Sequence, residues 1–113
     1  MNEIRQIKVA FVDDKIKSIY DKLLVGTSEE RELHKFISRA ISDLKLNPFI
    51  GIKIPSKLWP KGYSTKHNIN SLYKYDLPNG WRLIYTVKGS QLEILSIIIE
   101  WFDHKGYERR FKY

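Results

Sequence analysis

Near its end the chain reads Asp103-His104-Lys105-Gly106-Tyr107-Glu108-Arg109-Arg110-Phe111. A proton-transfer residue, both kinds of cation and a phenol fall within one or two helical turns of each other. Such a set suits the cleavage of RNA without a metal: a base takes the 2′-hydroxyl proton, cations hold the phosphate as charge builds on it, and an acid protonates the departing 5′-oxygen. Histidine is the side chain here whose ordinary pKa lies near neutrality, which makes His104 the candidate acid or base. Arg82 belongs to the preceding hairpin. Counting outward from a turn at Gly89-Ser90 sets it about opposite Ile97, within a few residues of the strand end that carries the tail. Its guanidinium is suited to bidentate phosphate contact. The candidate catalytic set is therefore Arg82, His104, Tyr107 and Lys105. An equal reading is purely structural: Tyr107 and Phe111 pack on the sheet, the charges face water, and Arg82 pairs with Glu93, Glu100 or Asp76.

A basic surface stands beside these residues. Residues 1–44 carry eight Lys/Arg and eight Asp/Glu, whereas residues 45–113 carry twelve against five, so the net charge of +7 lies entirely in the second part. From Lys45 to Tyr75 there are six lysines and no carboxylate, with Phe49, Trp59, Tyr63, Tyr73 and Tyr75 interleaved. That is the composition of a polyanion-binding surface, and also of a solvated lysine-rich loop. The cations that would contact RNA are Lys53, Lys57, Lys61, Lys66, Arg109 and Arg110. His34 on the solvent side of a helix, His67 in the basic stretch and His104 have no metal-ligand spacing, and no phosphate-cradling glycine loop, zinc helix or nucleophile elbow is present. No metal and no cofactor are expected.

The elements that must position these groups follow from periodicity. With 113 residues, 42% hydrophobic and 29% charged, the chain is expected to fold as one α+β domain. It has no cysteine. It also lacks a long apolar run, and MNEIRQIK is not a secretory leader, so a cytoplasmic protein without a membrane span is expected. Gln6–Val12 alternates as a strand, with Ile7, Val9 and Phe11 on one side. Asp13 and Asp14 can cap a helix with an Ile16, Ile19, Tyr20, Leu23, Leu24 stripe, which Gly26 ends. Thr27 or Ser28 opens a second helix, with Glu30 in a capping box and a stripe of Leu33, Phe36, Ile37, Ala40, Ile41 and Leu44. Asn47-Pro48 stops it. Residues 49–71 keep no period and read as a long irregular connection with a short strand near Ile52–Ile54. Three strands follow, Leu72–Leu77, Trp81–Lys88 and Leu92–Phe102, with Asn79-Gly80 as a hairpin turn. In the middle strand Trp81, Leu83, Tyr85 and Val87 should face the helices. The last strand is apolar on both faces, so it should be central, with the N-terminal strand on its free side. The expected fold is an N-terminal strand and two antiparallel helices packed on a three- to four-stranded antiparallel sheet.

This order of elements resembles the RelE/ParE superfamily of type II toxin-antitoxin toxins. The likeness is carried by Asn47-Pro48-Phe49 through Gly51, by Leu72-Tyr73-Lys74-Tyr75 followed by Gly80-Trp81-Arg82-Leu83-Ile84-Tyr85, and by Asp103-His104-Lys105 with Tyr107. The resemblance implies an mRNA endonuclease, ribosome-dependent or free, neutralised by a cognate antitoxin that lies across the toxin. It implies Arg82 for phosphate stabilisation, His104 for acid/base work and Tyr107 for acid/base work or base stacking, with Lys105, Lys53, Lys57 and Lys61 supplying charge. The alternative is a ParE-like gyrase inhibitor or a nucleic-acid-binding module that does no chemistry. Two features depart from the family pattern: residues 49–71 form a longer connection than in the shortest members, and Pro78-Asn79-Gly80-Trp81 replaces the usual Gly-Asp-Tyr before the arginine.

Overall fold

Strand β1, Gln6–Phe11, leads directly into helix α1, Asp14–Leu23, where the Asp13 carboxylate accepts the Ile16 N–H at 2.9 Å. A short turn leads to α2, Ser28–Leu46. Its capping box is complete: the Thr27 hydroxyl accepts from the Glu30 N–H, and the Glu30 carboxylate accepts from the Thr27 N–H, so two otherwise orphaned donors are satisfied. Leu33, Ile37, Ala40 and Leu44 of α2 are buried as one stripe, together with Leu23 of α1. Ile19 and Leu24, expected in the α1 stripe, are exposed instead. A helix lying on a sheet beside a longer neighbour buries only the narrow strip that faces both.

The structure is a computed structural model that describes residues 5–111; residues 1–4 and 112–113, including the start of MNEIRQIK, lie outside the described residues. Beyond α2 come β2 (Ile52–Lys53), a 3-10 turn (Ser56–Leu58), the one-turn helix α3 (Tyr63–His67) and β3 (Tyr73–Asp76). β4 (Arg82–Gly89), β5 (Glu93–Phe102) and α4 (His104–Phe111) complete the chain. The strands form one five-stranded sheet in the order β1-β5-β4-β3-β2. β1 runs parallel to β5, while the other neighbours are antiparallel. The expected three- to four-stranded antiparallel sheet is thus corrected to a five-stranded mixed one. Period-two alternation says nothing of strand direction, and the short strand expected near Ile52–Ile54 joins the sheet as β2. The parallel pairing needs a crossover, which the α1–α2 pair provides as it carries the chain over one face of the sheet.

That face matches expectation, with Leu83, Tyr85 and Ile98 under the helices and Trp81 and Val87 beside them. The opposite face is covered too. Ile54, Tyr63, Ile69, Leu72, Ile84, Ile99, Tyr107 and Phe111 form a second buried cluster, built by the irregular stretch and by α4.

The hairpin registers decide where Arg82 stands. Asn79 and Gly80 adopt φ of 62° and 80°, the positive values their types allow, in a three-residue loop closed by the Leu77 N–H on the Trp81 carbonyl. The β4–β5 turn is longer than a tight Gly89-Ser90 hairpin: Gly89 faces Ile94, and the Ser90 hydroxyl accepts from the N–H groups of Leu92 and Glu93. A register shift between Ile84 and Tyr85 then skips Ile99. Arg82 consequently pairs with Phe102 and not with Ile97, which brings it to the last residue of β5.

Tyr85 ties the α2–β2 connection to the sheet. Its buried hydroxyl donates to the Pro48 carbonyl and accepts the Gly51 N–H, both at 3.0 Å, and burial pushes the phenol pKa up. A Cβ on Gly51 would stand 2.6 Å from both the Lys74 carbonyl oxygen and the Tyr85 hydroxyl. Gly51→Ala should therefore cost about 1–3 kcal/mol by overpacking. The thermal midpoint should drop by several degrees, and an unchanged midpoint would contradict this account of the connection.

Candidate functional site

Asp76 lies opposite Arg82 in the β3–β4 ladder, and Lys74 opposite Ile84, so alternation puts Lys74, Asp76 and Arg82 on one face. Arg82 Nε is 3.0 Å and Lys74 Nζ 3.3 Å from the same Asp76 Oδ1. The arginine contact has the distance of an ion pair without the direction of a hydrogen bond, and the Nε–H has no aligned acceptor. Below them lies the Tyr107 ring, its centroid 5.6 Å from Lys74 Nζ and 5.8 Å from Arg82 Cζ. Both cations are attracted to the negative face of the ring. Tyr107 is 3% exposed, and the Lys74 and Arg82 side chains 17% and 19%. Of the alternatives for Arg82, Asp76 is the one realised.

α4 starts where β5 ends because Asp103 turns the chain. Its carboxylate accepts the Gly106 N–H at 2.7 Å, and its carbonyl accepts the Tyr107 N–H at 2.9 Å. His104, the first residue of α4, is exposed and pairs through Nε2 with Glu108 one turn on. It abuts the β3–β4 turn, since a Cβ on Gly80 would stand 3.2 Å from His104 Cβ. Arg82 is two residues beyond that glycine. The structure therefore gathers His104, Arg82 and Tyr107 at one end of the sheet, with His104 at the solvent and Tyr107 beneath. Lys105 is exposed on the same first turn of α4.

The other end of α4 forms one wall of a cleft of about 400 Å³. Arg109, Arg110 and Phe111 face Lys57, Leu58, Trp59, Pro60 and Lys61 across it. Four of the expected RNA-contacting cations thus converge, and among the described residues no carboxylate lines the cleft. Lys53, on β2, and Lys66, on α3, lie outside that lining. Arg110 also sits 5.6 Å over the Tyr63 ring. The Tyr63 hydroxyl donates to the Glu100 carboxylate, and burial together with that carboxylate raises the phenol pKa far above its usual value. Glu100 is held by that bond and does not line the cleft.

The remaining histidines pack against aromatic rings. His67 meets the Tyr63 ring edge-on at 4.7 Å, and burial, then Lys66, lowers its pKa. His34 is half-buried and not on the solvent side: it stacks on Tyr20 at 4.4 Å and reaches Ser38. Tyr75 donates to Asp43 across the helix face, and burial and that carboxylate push its pKa up to about 12.

Three contributors to these sites were not singled out as site residues in the sequence. Lys74 and Asp76 sit two apart on a strand facing Arg82, a pattern visible only once the register is known. Trp59 lies between Lys57 and Lys61 in the carboxylate-free run, a signal strong enough to have marked it. Among the described residues no three His, Asp or Glu side chains group so as to hold a metal ion, and no helix is long and apolar enough to cross a membrane. No family model matches the chain, and neither a curated protein nor a solved structure matches it.

Proposed function

We propose that this chain is a RelE-like endoribonuclease toxin that binds mRNA along α4 and cuts it by 2′-hydroxyl attack at the His104 end. The observation that carries the proposal is the layout of α4. A solvent-facing histidine paired to a carboxylate begins the helix, and a cleft whose described lining is cationic, with no carboxylate, lies at its other end. Along the helix axis residues 104 and 110 stand about 9 Å apart, the stretch a strand held in the cleft by its phosphates would have to cover to reach the histidine.

In the reaction, His104 accepts the 2′-hydroxyl proton and the 2′-oxygen attacks the adjacent phosphorus. The bond to the 5′-oxygen breaks, leaving a 2′,3′-cyclic phosphate, and the departing 5′-oxygen takes a proton from water to become a hydroxyl while the imidazolium returns its proton to solvent. Glu108 orients the imidazole through its contact with Nε2. Lys105 and Arg82 are the cations at this end for the phosphate oxygens. The Tyr107 ring holds the Arg82 guanidinium in place from below. A cognate antitoxin, a cytoplasmic setting and action on the ribosome belong to the same proposal.

Incubating the purified protein with RNA, alone and with translating ribosomes, and analysing the termini tests it. Fragments ending in 2′,3′-cyclic or 3′-phosphate are expected, and intact RNA in both conditions would overturn the nuclease reading. A second reading has its own support. Asp76 neutralises Arg82, and Tyr107 is buried, which leaves a protein that binds a nucleic acid or a gyrase-like enzyme without cutting.

Both readings use the cleft as an electrostatic grip. Replacing Lys57 and Lys61 together by glutamine should weaken binding to any single-stranded sequence and flatten the salt dependence. The slope of log K against log salt should fall by about 1.4, or about 0.7 for each phosphate that is no longer neutralised. An unchanged slope in a titration from low to high salt would remove these lysines from the interface.

A further inference from the structure

The cleft holds more than charge. Trp59 lies between its two lysines, and the loop that carries it is rigid for reasons of sequence. Pro55 opens the 3-10 turn and Pro60 follows the tryptophan, fixing φ at both points and confining Trp59 to extended backbone, observed at φ −69° and ψ 143°. Its N–H donates to the Ser56 carbonyl at 3.1 Å. The indole Nε1–H donates to the Ile54 carbonyl at 2.8 Å, which anchors one edge of the ring in the protein. Trp59 is only half-buried: it packs against the second core cluster and also lines the cleft, so its exposed part stands among four cations.

We propose that Trp59 is a stacking platform for one unpaired base of bound RNA, with Lys57, Lys61, Arg109 and Arg110 holding the phosphates on either side; this rests on the RNA-binding reading above. A cleft of about 400 Å³ is in the range of sites that enclose a single small ligand, which spans about 300–1,000 Å³. One nucleotide fits that scale, and a duplex does not. A duplex also keeps its base faces stacked inside, out of reach of an indole. Aromatic platforms within basic grooves are the means by which proteins hold single strands with little sequence preference. The substrate class is therefore single-stranded RNA, gripped one base at a time at this point.

The test uses a short labelled oligoribonucleotide carrying 2′-O-methyl groups, which cannot be cut, and reads affinity by fluorescence anisotropy. Three versions are compared: intact, abasic at successive single positions, and annealed to its complement. Wild-type protein should prefer the single strand over the duplex. Trp59→Leu should weaken binding to the intact strand by roughly 5- to 100-fold, and Trp59→Phe much less. At one position the abasic strand should bind the wild type weakly, and Trp59→Leu should no longer distinguish it from the intact strand, since the missing base and the missing ring are two sides of one stack. Equal binding of every abasic strand, or wild-type affinity in Trp59→Leu, would show that charge alone fills the cleft and overturn the proposal. Should Trp59→Leu fail to fold, the Phe variant and the abasic series on wild-type protein decide the matter. Cleavage is scored separately on the 2′-hydroxyl strand. Trp59-dependent binding without cleavage removes only the nuclease reading, whereas cleavage with no Trp59 dependence of affinity removes only the platform.

Discussion

His104→Ala should lower RNA cleavage by about 10²- to 10⁴-fold, the usual contribution of a positioned proton-transfer group, while the protein unfolds at the same temperature as wild type. The two halves of this expectation come from the same geometry. The His104 side chain is 62% exposed and its Glu108 partner 55%, so no cavity opens when it is removed. An exposed pair one turn apart on a helix contributes only about 0.3–0.5 kcal/mol. Alanine is also the better helix former at the first turn of α4. Affinity for the uncut oligonucleotide should stay the same, because the binding cations sit at the other end of the helix. Glu108→Gln should produce a smaller loss, through a less well oriented imidazole. Unaltered cleavage in His104→Ala, measured as initial rate at saturating RNA, would remove this residue from the chemistry and leave the second reading.

The placement of this histidine shows which parts of the molecule were legible in the sequence. Features set by neighbours in the chain were. Asp13, Thr27 and Glu30 cap the helices they should cap, Asn79 and Gly80 adopt positive φ, and Leu83 and Tyr85 face the helices as their alternation demands. The position of β1 beside β5 also followed, since a strand apolar on both faces must be flanked. What depended on distant parts of the chain was hidden. Arg82 meets Phe102 because a longer turn and a skipped residue at Ile99 add up, and neither leaves a trace in composition. Ile54, Tyr63 and Ile69 lie among prolines and glycines without a period, so nothing local marks them as the cover of the second sheet face. The candidate site inherits this division. Its residue types were legible in the tail and the basic stretch, whereas their arrangement, with His104 at one end of α4 and the cationic cleft at the other, emerges only when α4 is docked.

Docking of α4 rests on Tyr107, and Tyr107→Ala should have the largest effect on stability among the changes considered. The ring is stacked on Phe111 at 4.7 Å, belongs to the second core cluster and underlies the Lys74 and Arg82 cations. Truncating a buried aromatic costs about 3–5 kcal/mol, a large share of the roughly 5–15 kcal/mol that holds a domain together. Chemical denaturation should show that loss. Cleavage should disappear with it, because His104 and the cleft wall are both carried by the helix that is released. Loss of activity in this variant alone therefore cannot separate packing from chemistry. Tyr107→Phe does separate them. It keeps the ring, the stack and the support beneath Arg82, so α4 should stay docked and the loss of stability should be smaller than in the alanine variant. A ring 3% exposed is shielded from a solvent-borne strand, and cleavage by the Phe variant should stay within a few-fold of wild type. A Phe variant that is stable and inactive would put the phenol into the proton transfers beside His104. An Ala variant as stable as wild type would instead refute the packing role of Tyr107 in docking α4.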